Sequence, residues 1–421
     1  MKITPVKGTN DFLPSEVEIR DYLQNSIIAT YRRSGFTRIS TPIIEDSENL
    51  DKSDGGDNLN LIFKILKRGD KFDEAIAAYK PGESRADDLC DMGLRYDLTL
   101  PLTRYYSNNR SKLPSPFKCI QTDRVYRAER PQKGRLREFV QCDIDIIGQA
   151  SYTAEIELID TTAKALEDID FKNFSIRIND RTLLRALIVR AGFSEESCDS
   201  VCITLDKLDK IDVAGVREEL IGKGFDESSV NSLMGILADR PFTLDKVKAY
   251  LGEHPALENL TKIMDGAAAL AGERYKIEYD MTLVRGQGYY TGTVFEISHP
   301  DFRGAIGGGG RYDGLVGKFL GESIPAVGFS IGFERIASIM LDSGYVIPTR
   351  RRRAAVLYTE DNFISACKRA DALRTDGWDV CLCEAAKKLG KQLARLEGEG
   401  YDSYIVEGEG ELKSLSRGAD R

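Results

Sequence analysis

The sequence predicts an α+β main domain, interrupted by a helical insertion, and a small C-terminal α/β domain. Three observations support this fold class. Strand patterns fill much of the first half and return at Ile277. Between them, residues 181 to about 276 have helical periodicity and no strand pattern. Beyond residue 353, alternating strand and helix patterns indicate a mainly parallel sheet.

The composition indicates a soluble globular protein. The chain has 421 residues, 42% of them apolar and 30% charged, which predicts two or three domains. No run approaches about twenty apolar residues, and residues 1–14 lack the apolar centre of a signal peptide. We therefore expect a cytoplasmic protein without membrane contact. The net charge of -8 argues against non-specific nucleic-acid binding, so any RNA contact should be local.

The cysteines and histidines do not predict a metal site. The eight cysteines are scattered, and several lie in apolar segments, which is typical of reduced core residues. The chain has only two histidines, His254 and His299, both in turn contexts that favour structural roles. Two cysteine pairs are close in sequence but lack zinc-finger spacing: Cys198 with Cys202, and Cys381 with Cys383.

The N-terminal region predicts a helix followed by a strand. Apolar residues recur at helical spacing over residues 15–34, with Asn10 or Asp11 available as a cap and Gly35 as the stop. Residues 36–44 then have the composition of a strand. Its proline restricts it to an edge or end position.

Residues 94–106, LRYDLTLPLTRYY, predict the end of a strand leading into a helix. Asp97 or Thr99 would cap that helix. A carboxylate and a hydroxyl at this spacing are also acceptors that a buried ammonium group requires. The residues alone leave both interpretations open.

Residues 117–148 predict two strands joined by a charged loop. In the second strand, one face should be buried and the other should carry carboxylates and an amide. The apolar face is Val140, Cys142 and Ile144, and the polar face is Phe139, Gln141, Asp143 and Asp145.

The loop between these strands is strongly basic. Its charged residues are Arg127, Arg130, Lys133, Arg135 and Arg137, offset by Glu129 and Glu138. One interpretation is a hairpin with a solvated tip. The other is a phosphate site, because a guanidinium group binds phosphate oxygens with two parallel hydrogen bonds.

Later segments alternate between helix and strand. Residues 152–166 predict an acidic helix and residues 174–180 an alternating strand. The stretch MTLVRGQGYYTGTVFEI follows the helical insertion. Within it, Tyr289 and Tyr290 are either core aromatics or ligand contacts, and Arg285 is either a surface charge or part of a site.

Two further segments also allow two interpretations. Glycines 307–310 form either a flexible turn or a place where backbone approaches a ligand closely. Arg335 falls in the first turn of a helix predicted to open near Gly332, where the helix dipole favours an anion. Alternatively, Arg335 pairs with Glu334 or a neighbouring carboxylate.

The loop sequence ERPQKGR, with the Gln and Asp strand after it, resembles motif 2 of class II aminoacyl-tRNA synthetases, most closely of the histidyl-tRNA synthetase family. Helix, Gly, strand and Pro near the N-terminus resemble motif 1. LRYDLT, RGQGYYTGTVFE, GGGGRYDGL and the helix with Arg335 resemble further family segments in the family's order. The resemblance covers nearly the whole chain.

The resemblance implies a domain plan. Residues 1–347 would form a catalytic domain, an antiparallel sheet flanked by helices, with the helical insertion at about 181–276. Residues 348–353 would be a linker, and residues 354–421 an anticodon-binding-like α/β domain. That domain ends early for the family, and Gln287 and Gly288 replace the family's usual Leu-Asp.

The resemblance also implies an activity. Histidine and ATP, with Mg2+, would give histidyl-adenylate, and the histidyl group would then pass to tRNA(His) on a homodimeric enzyme. The implied catalytic residues are Arg127 and Arg285. The implied ATP-binding residues are Arg127, Glu129, Arg135, Phe139 and Arg335. The implied histidine-binding residues are Asp97, Thr99, Gln141, Asp145, Arg285, Tyr289 and Tyr290.

Two non-catalytic alternatives share the same fold. One is the synthetase-like regulatory subunit of ATP phosphoribosyltransferase, and the other is a tRNA-sensing pseudoenzyme. The appended α/β domain counts against the regulatory subunit, as do four retained arginines: Arg127, Arg135, Arg285 and Arg335.

Overall fold

The computed structural model describes residues 3–51, 61–131, 135–285, 288–348 and 350–415, without the side chains of Asp209, Lys210 and Arg303. The chain divides into two compact units, Met1–Tyr345 and Val346–Arg421. None of the helices in the described ranges combines the length and apolar character needed to cross a membrane.

An eight-stranded mixed sheet organises the first unit. The strands of this unit are β1 (Thr37–Arg38), β2 (Ile44–Asp46), β3 (Lys64–Leu66), β4 (Cys90–Leu94), β5 (Phe117–Tyr126), β6 (Glu138–Ile147), β7 (Ser175–Asp180), β8 (Lys276–Tyr279), β9 (Thr293–His299), β10 (Phe302–Arg311) and β11 (Ala326–Gly332). The large sheet has the order β1-β5-β6-β11-β10-β9-β7-β8, and β2-β4-β3 form a small antiparallel sheet. The six central strands are antiparallel, while the edge strands β1 and β8 pair in parallel.

Helices cover both faces of the large sheet. The α-helices of this unit are α1 (Pro14–Arg33), α2 (Ser47–Asp51), α3 (Asp70–Ala78), α4 (Thr99–Asn109), α5 (Thr153–Glu167), α6 (Arg181–Arg190), α7 (Cys198–Leu205), α8 (Leu208–Gly222, interrupted at Asp212), α9 (Glu227–Ala238), α10 (Leu244–Leu251), α11 (Pro255–Ala271), α12 (Asp313–Leu320) and α13 (Phe333–Asp342). Helices α1 and α5 bury the apolar face, and α4 and α12 lie over the opposite face. The helical periodicity of residues 181–276 is confirmed as α6 to α11.

The alternation predicted for β6 is confirmed, but the prediction of a single buried face is wrong. Cys142 and Ile144 lie in the core against α1 and α5. Asp143 and Asp145, on the opposite face, are only 4% and 3% exposed. Side chains of α4 and α12 pack over this face, so its carboxylates are shielded from solvent.

The strand predicted over residues 36–44 is in fact split between two sheets. Thr37–Arg38 pairs with β5, whereas Ile44–Asp46 pairs with β4. The chain turns between them because the buried guanidinium of Arg95 donates to the carbonyls of Thr41 and Pro42, at 2.7 and 3.3 Å. These two carbonyls therefore have hydrogen-bond donors without pairing to a neighbouring strand.

The N-terminal end of α1 also differs from the prediction. Leu13, rather than Asn10 or Asp11, occupies the cap position. Its backbone N–H is satisfied by the carboxylate of Glu16, which accepts at 2.7 Å. A charge in the first turn complements the helix dipole, so the helix begins without a polar cap side chain.

The second unit is a small α/β fold. Its elements are β12 (Arg353–Tyr358), α14 (Phe363–Thr375), β13 (Asp379–Glu384), α15 (Leu389–Gly398), β14 (Ser403–Val406) and β15 (Lys413–Ser414). The strand order is β13-β12-β14-β15, with the first three parallel, as the βαβαβ pattern predicted. The antiparallel β15 was not predicted.

The cysteines form no disulfide, as expected, but only half of them lie in the core, and both histidines make local structural contacts. All eight cysteines are free thiols, and four are buried. His254 caps α11, since its Nδ1 accepts from the backbone of Ala256 at 3.2 Å. The Nε2 of His299 lies 3.0 Å from the carbonyl of Lys172.

Candidate active site

A row of polar groups crosses five strands on the face opposite the apolar core. Asp143 of β6 pairs with Ser330 of β11, which pairs with Gly308 of β10. Gly308 in turn pairs with Glu296 of β9, and Glu296 with Arg177 of β7. Directly paired residues of a sheet point to the same face. The row therefore joins an acidic end to a basic end.

Glycines form the floor of this face. A Cβ atom at Gly308 would lie 2.5 Å from Cζ of Arg285, and one at Gly310 would lie 2.9 Å from the Tyr290 ring. A Cβ atom at Gly328 would overlap the carboxylate of Asp145. Glycines 307–310 are part of β10 and not a flexible turn, so that interpretation is wrong. They allow side chains to lie directly on the backbone.

Three buried carboxylates, Asp97, Asp143 and Asp145, gather at the acidic end, which we call the carboxylate end. Asp97 Oδ1 accepts from the backbone of Leu100 at 3.1 Å, and its Oδ2 lies 3.5 Å from the hydroxyl of Tyr289. Leu98 occupies the cap position of α4, but Asp97 satisfies an N–H of its first turn with one oxygen and turns the other towards Tyr289.

The other two carboxylates leave oxygen atoms unused. The hydroxyl of Tyr312 donates to Asp145 Oδ1 at 2.6 Å. Among the described residues, Asp145 Oδ2 and Asp143 Oδ1 are buried and find no hydrogen-bond partner. Buried acceptors without partners are costly, so these oxygens indicate a site for a donor group.

The pKa values of these carboxyl groups respond to burial. Burial raises the pKa of Asp145 to about 7, although the Tyr312 hydrogen bond opposes the shift. Burial also raises the pKa of Asp97, and it raises that of Asp143 well above its ordinary value, with added repulsion from Asp145. A bound cation would reverse these shifts by stabilising the ionised forms.

Uncharged polar groups complete the carboxylate end. The Gln141 amide donates to Ser330 Oγ at 3.0 Å, while its buried Oε1 has no partner in the described part of the chain. Thr99 opens α4 beside Asp97. Tyr289 is 6% exposed and packs edge-on against the half-buried Tyr290, with ring centroids 4.9 Å apart.

Arg285 lies over Gly308 towards the basic end of this face, whereas Arg127 lies near the carboxylates and opposes the rise in the pKa values of Asp97 and Asp143. Nε of Arg127 donates to the carbonyl of Tyr96 at 3.0 Å, and its guanidinium lies 5.0 Å from the centroid of the Phe139 ring. Nη1 of Arg285 donates to Oε2 of Glu296 at 3.0 Å. Its buried Nε has no partner among the described residues, which leaves one donor for an anion.

Arg335 is the third residue of α13 and donates to the carbonyl of Ala305. Burial, together with repulsion from Arg135 and Arg285, lowers the pKa of Arg335 to about 10. Glu334, one of the suggested partners, binds Arg20 through two contacts of 2.7 Å, while the neighbouring carboxylates of Glu129 and Glu296 oppose the lowering of the pKa of Arg335. Mutual repulsion among these arginines would be relieved by a polyanion.

Glu129 and Arg135 lie at the rim, with an ion pair of 3.6 Å between them. Gly288, three residues after Arg285, is described, whereas Lys133 and Gln287 lie outside the described residues. In the described ranges, no group of three or more His, Cys, Asp or Glu side chains is placed to hold a metal ion.

The sequence interpretation missed three residues of this face: Asp143, Glu296 and Tyr312. A signal existed for each. Asp143 shares the predicted polar face of β6, while Glu296 and Tyr312 lie in segments that carry the family resemblance. Their roles depend on contacts with distant segments, which the local pattern does not contain.

Comparison with known proteins identifies a family. The family model described as histidyl-tRNA synthetase matches residues 87–336. A histidine–tRNA ligase from Leifsonia xyli subsp. xyli is 44% identical over 418 residues, covering 96% of this chain and 94% of that protein.

Solved structures have the same fold. The histidyl-tRNA synthetase from Nostoc sp. PCC 7120 has a TM-score of 0.78 at 28% identity, covering 99% of this chain and 95% of that one. A Bacillus halodurans structure described as an ATP phosphoribosyltransferase regulatory subunit/histidyl-tRNA synthetase also reaches 0.78, at 21% identity, with 96% and 98% covered. At that identity the second likeness shows the fold alone. The predicted class II synthetase fold is confirmed, and the chain belongs to the histidyl-tRNA synthetase family.

Proposed function

We propose that this protein is a histidine–tRNA ligase, which activates histidine with ATP and transfers it to tRNA(His). One observation supports the proposal most strongly. Three buried carboxylates, at Asp97, Asp143 and Asp145, share a glycine-floored face with Arg127 and Arg285. This arrangement complements a small zwitterion that also carries a second basic group.

Histidine would bind with its ammonium group towards Asp97, Thr99 and Gln141, which offer a carboxylate, a hydroxyl and an amide oxygen without a described partner. Its imidazole would lie against Asp145 and Tyr290, with Tyr289 packed behind. Asp145 Oδ2 is suited to accept from an imidazole N–H.

ATP would bind with its phosphates towards the arginines. Arg127 would contact the α-phosphate, and Arg135 and Arg335 the outer phosphates, with Glu129 at the rim. The Arg127 guanidinium lies over one face of the Phe139 ring. Adenine would stack on the other face. Mg2+ is proposed as part of the MgATP substrate, because it commonly takes most of its ligands from phosphates and water.

The chemical step is positioning and charge stabilisation. A carboxylate oxygen of histidine attacks the α-phosphorus, and pyrophosphate leaves with the electron pair of the broken P–O bond. Arg127 and Arg285 would stabilise charge that develops on the α-phosphate oxygens. In the second step, the terminal ribose hydroxyl of the tRNA attacks the histidyl carbonyl and AMP leaves.

The remaining parts of the proposal concern assembly and tRNA. Residues 1–347 would form the catalytic domain, residues 348–353 a linker, and residues 354–421 an anticodon-binding domain. The homodimer is proposed from the resemblance of the N-terminal helix and strand to motif 1 of the family.

Histidine-dependent exchange of pyrophosphate into ATP tests activation, and charging of a tRNA(His) transcript tests transfer. We expect both with the purified full-length protein. Histidine binding without exchange would instead favour a regulatory subunit. Absence of both histidine binding and exchange would contradict the proposed substrate.

A further inference from the structure

Arg285 occupies an unusual backbone position that its surroundings maintain. Its φ angle is +61°, which few residues other than glycine adopt. The fully buried Asn179 donates to the carbonyls of Met281 and Leu283, at 3.0 and 2.9 Å, and so fixes the loop that leads into it. The backbone of this arginine is therefore anchored to β7.

The guanidinium of Arg285 is anchored separately. It lies directly on Gly308, where no side chain fits beneath it. Beside it, Glu296 Oε2 accepts from Nη1 of Arg285 at 3.0 Å, while Glu296 Oε1 accepts from Arg177. The Glu296 side chain is 13% exposed, and each of its oxygens binds one arginine.

Arg177 closes this network onto the same loop. It faces Glu296 directly across β7 and β9, and its Nη1 donates to Asp280 Oδ2 at 3.0 Å. Asp280 Oδ1 accepts from the N–H and the hydroxyl of Thr282, at 2.9 and 2.6 Å. The guanidinium groups of Arg285 and Arg177 are thus paired with the carboxylates of Glu296 and Asp280. Because Asp280 also binds Thr282, this network connects back to the loop that carries Arg285.

We propose that Glu296 is a positioning residue that holds the guanidinium of Arg285 over Gly308, with its Nε donor directed to the reacting α-phosphate and carboxylate. This inference rests on the proposed function. Glu296 does not contact substrate; it acts through Arg285. Fixed placement matters because a misplacement of about 1 Å can cost about 100-fold in rate.

The test compares Glu296→Gln and Glu296→Asp with the wild type in pyrophosphate exchange. Glutamine lacks the negative charge that attracts Arg285 and Arg177. Aspartate keeps the charge, but its side chain is one methylene shorter and does not contact both arginines. We expect kcat to fall about 100-fold in both variants. The KM for histidine should stay within about threefold, since the carboxylate end is untouched.

A double-mutant cycle separates positioning from a general structural role. In an Arg285→Lys background, Glu296→Gln should lower kcat by less than about a further twofold. The effects of two residues that act as a unit do not add. Glu157→Gln is the matched control. It removes a carboxylate that accepts from Lys118 at 2.6 and 2.7 Å away from the site, and it should leave kcat unchanged.

Near-normal kcat in Glu296→Gln, or full additivity with Arg285→Lys, would overturn the proposal while leaving the function intact. If Glu296→Gln does not fold, Glu296→Asp decides by the same criteria. Failure of both variants to fold would assign Glu296 to folding instead, which also overturns the proposal. A wild-type protein without exchange would overturn the proposed function, and this inference with it.

Discussion

The two ends of the proposed pocket are electrostatically different. At the carboxylate end, Asp97, Asp143 and Asp145 form no ion pair within the described part of the chain, and their hydrogen-bond donors are neutral groups such as the Tyr312 hydroxyl. At the opposite end, which we call the guanidinium end, Arg285 is already paired with Glu296. Burial alone would lower the pKa of Arg285, but Glu296 and Tyr290 raise it above its ordinary value.

This difference predicts how the two ends divide the work. At the carboxylate end, the nearby charge of Arg127 only partly compensates Asp97 and Asp143, whose pKa values stay raised. A ligand cation completes the compensation, so this end should govern histidine affinity. The guanidinium end holds its charge in place beforehand, as transition-state stabilisation requires. Changes at the guanidinium end should therefore lower kcat. Changes at the carboxylate end should raise the KM for histidine and alter the stability of the empty protein.

The largest expected effect is that of Arg285→Ala. It removes the donor directed to the α-phosphate, which should cost on the order of 3 kcal/mol or more, a rate loss of at least about 100-fold. The surface it vacates is polar and partly exposed, so we expect the thermal midpoint to change little. Steady-state exchange and thermal unfolding measure the two quantities. Exchange close to the wild-type rate would remove Arg285 from the mechanism.

Gly308→Ala tests the guanidinium end without touching a charge. The added methyl would lie 2.5 Å from Cζ of Arg285 and 2.7 Å from the carbonyl of Phe295, so the guanidinium must move. We expect kcat to fall by up to about 100-fold, with a stability loss of about 1–3 kcal/mol from overpacking.

Gly235→Ala is the matched control for this substitution. Gly235 lies in α9, and a Cβ there meets nothing within 4 Å. Alanine should leave kcat unchanged and stabilise the helix by about 1 kcal/mol. A Gly308→Ala enzyme as active as this control would mean that Arg285 need not lie on the sheet backbone.

The sequence predicted the elements of this pocket better than its contacts. Alternation in β6 placed Asp143 and Asp145 on one face, because a strand repeats every two residues. Their burial was not predictable, since α4 and α12 cover that face from distant parts of the chain. Likewise, Arg335 was placed in the first turn of its helix, while the partner that Arg20 provides for Glu334 lies 314 residues away.

The strand predicted over residues 36–44 and the turn alternative for the glycine run are wrong for a similar reason. Residues 36–44 were predicted as one strand because their composition is β-like, yet Arg95 draws the carbonyls of Thr41 and Pro42 out of the ladder. Gly307 to Gly310 suggested a turn because glycine is flexible. Pairing with β9 and β11 on both sides holds them extended.

Asp145→Asn should separate affinity from stability at the carboxylate end. An amide in place of the carboxylate weakens the bond to the imidazole, so we expect the KM for histidine to rise about 10- to 100-fold. The kcat at saturating histidine should fall much less. A larger loss in kcat than in KM would contradict the proposed division of work.

The same variant should be more stable than the wild type when empty. The pKa of Asp145 is about 7 in the folded protein, above the value of about 4 expected when unfolded. Between these values the unfolded state loses its proton first, so wild-type stability falls as pH rises through this window. The advantage of Asp145→Asn should be absent near pH 4 and at most about 4 kcal/mol near pH 8. Denaturant unfolding at both pH values measures it.

Tyr312→Phe should have the smallest effect and refines the comparison further. The lost hydroxyl donates to Asp145 at 2.6 Å and opposes the burial-induced rise in the pKa of that carboxyl group. Without it the pKa should rise further, which extends the pH window of falling stability upwards. Loss of one hydrogen bond predicts a KM for histidine raised about 5- to 10-fold, with kcat unchanged.

Tyr250→Phe controls for the loss of a tyrosine–aspartate hydrogen bond as such. Its hydroxyl donates to Asp239 at 3.1 Å in the helical insertion, away from the pocket. This control should leave the KM for histidine unchanged. If Tyr312→Phe behaved like the control, Asp145 would be oriented by its strand alone. A KM for histidine between those of Tyr250→Phe and Asp145→Asn, with normal kcat, would instead show that the neutral hydroxyl of Tyr312 contributes to histidine affinity. The arginines would then set the rate.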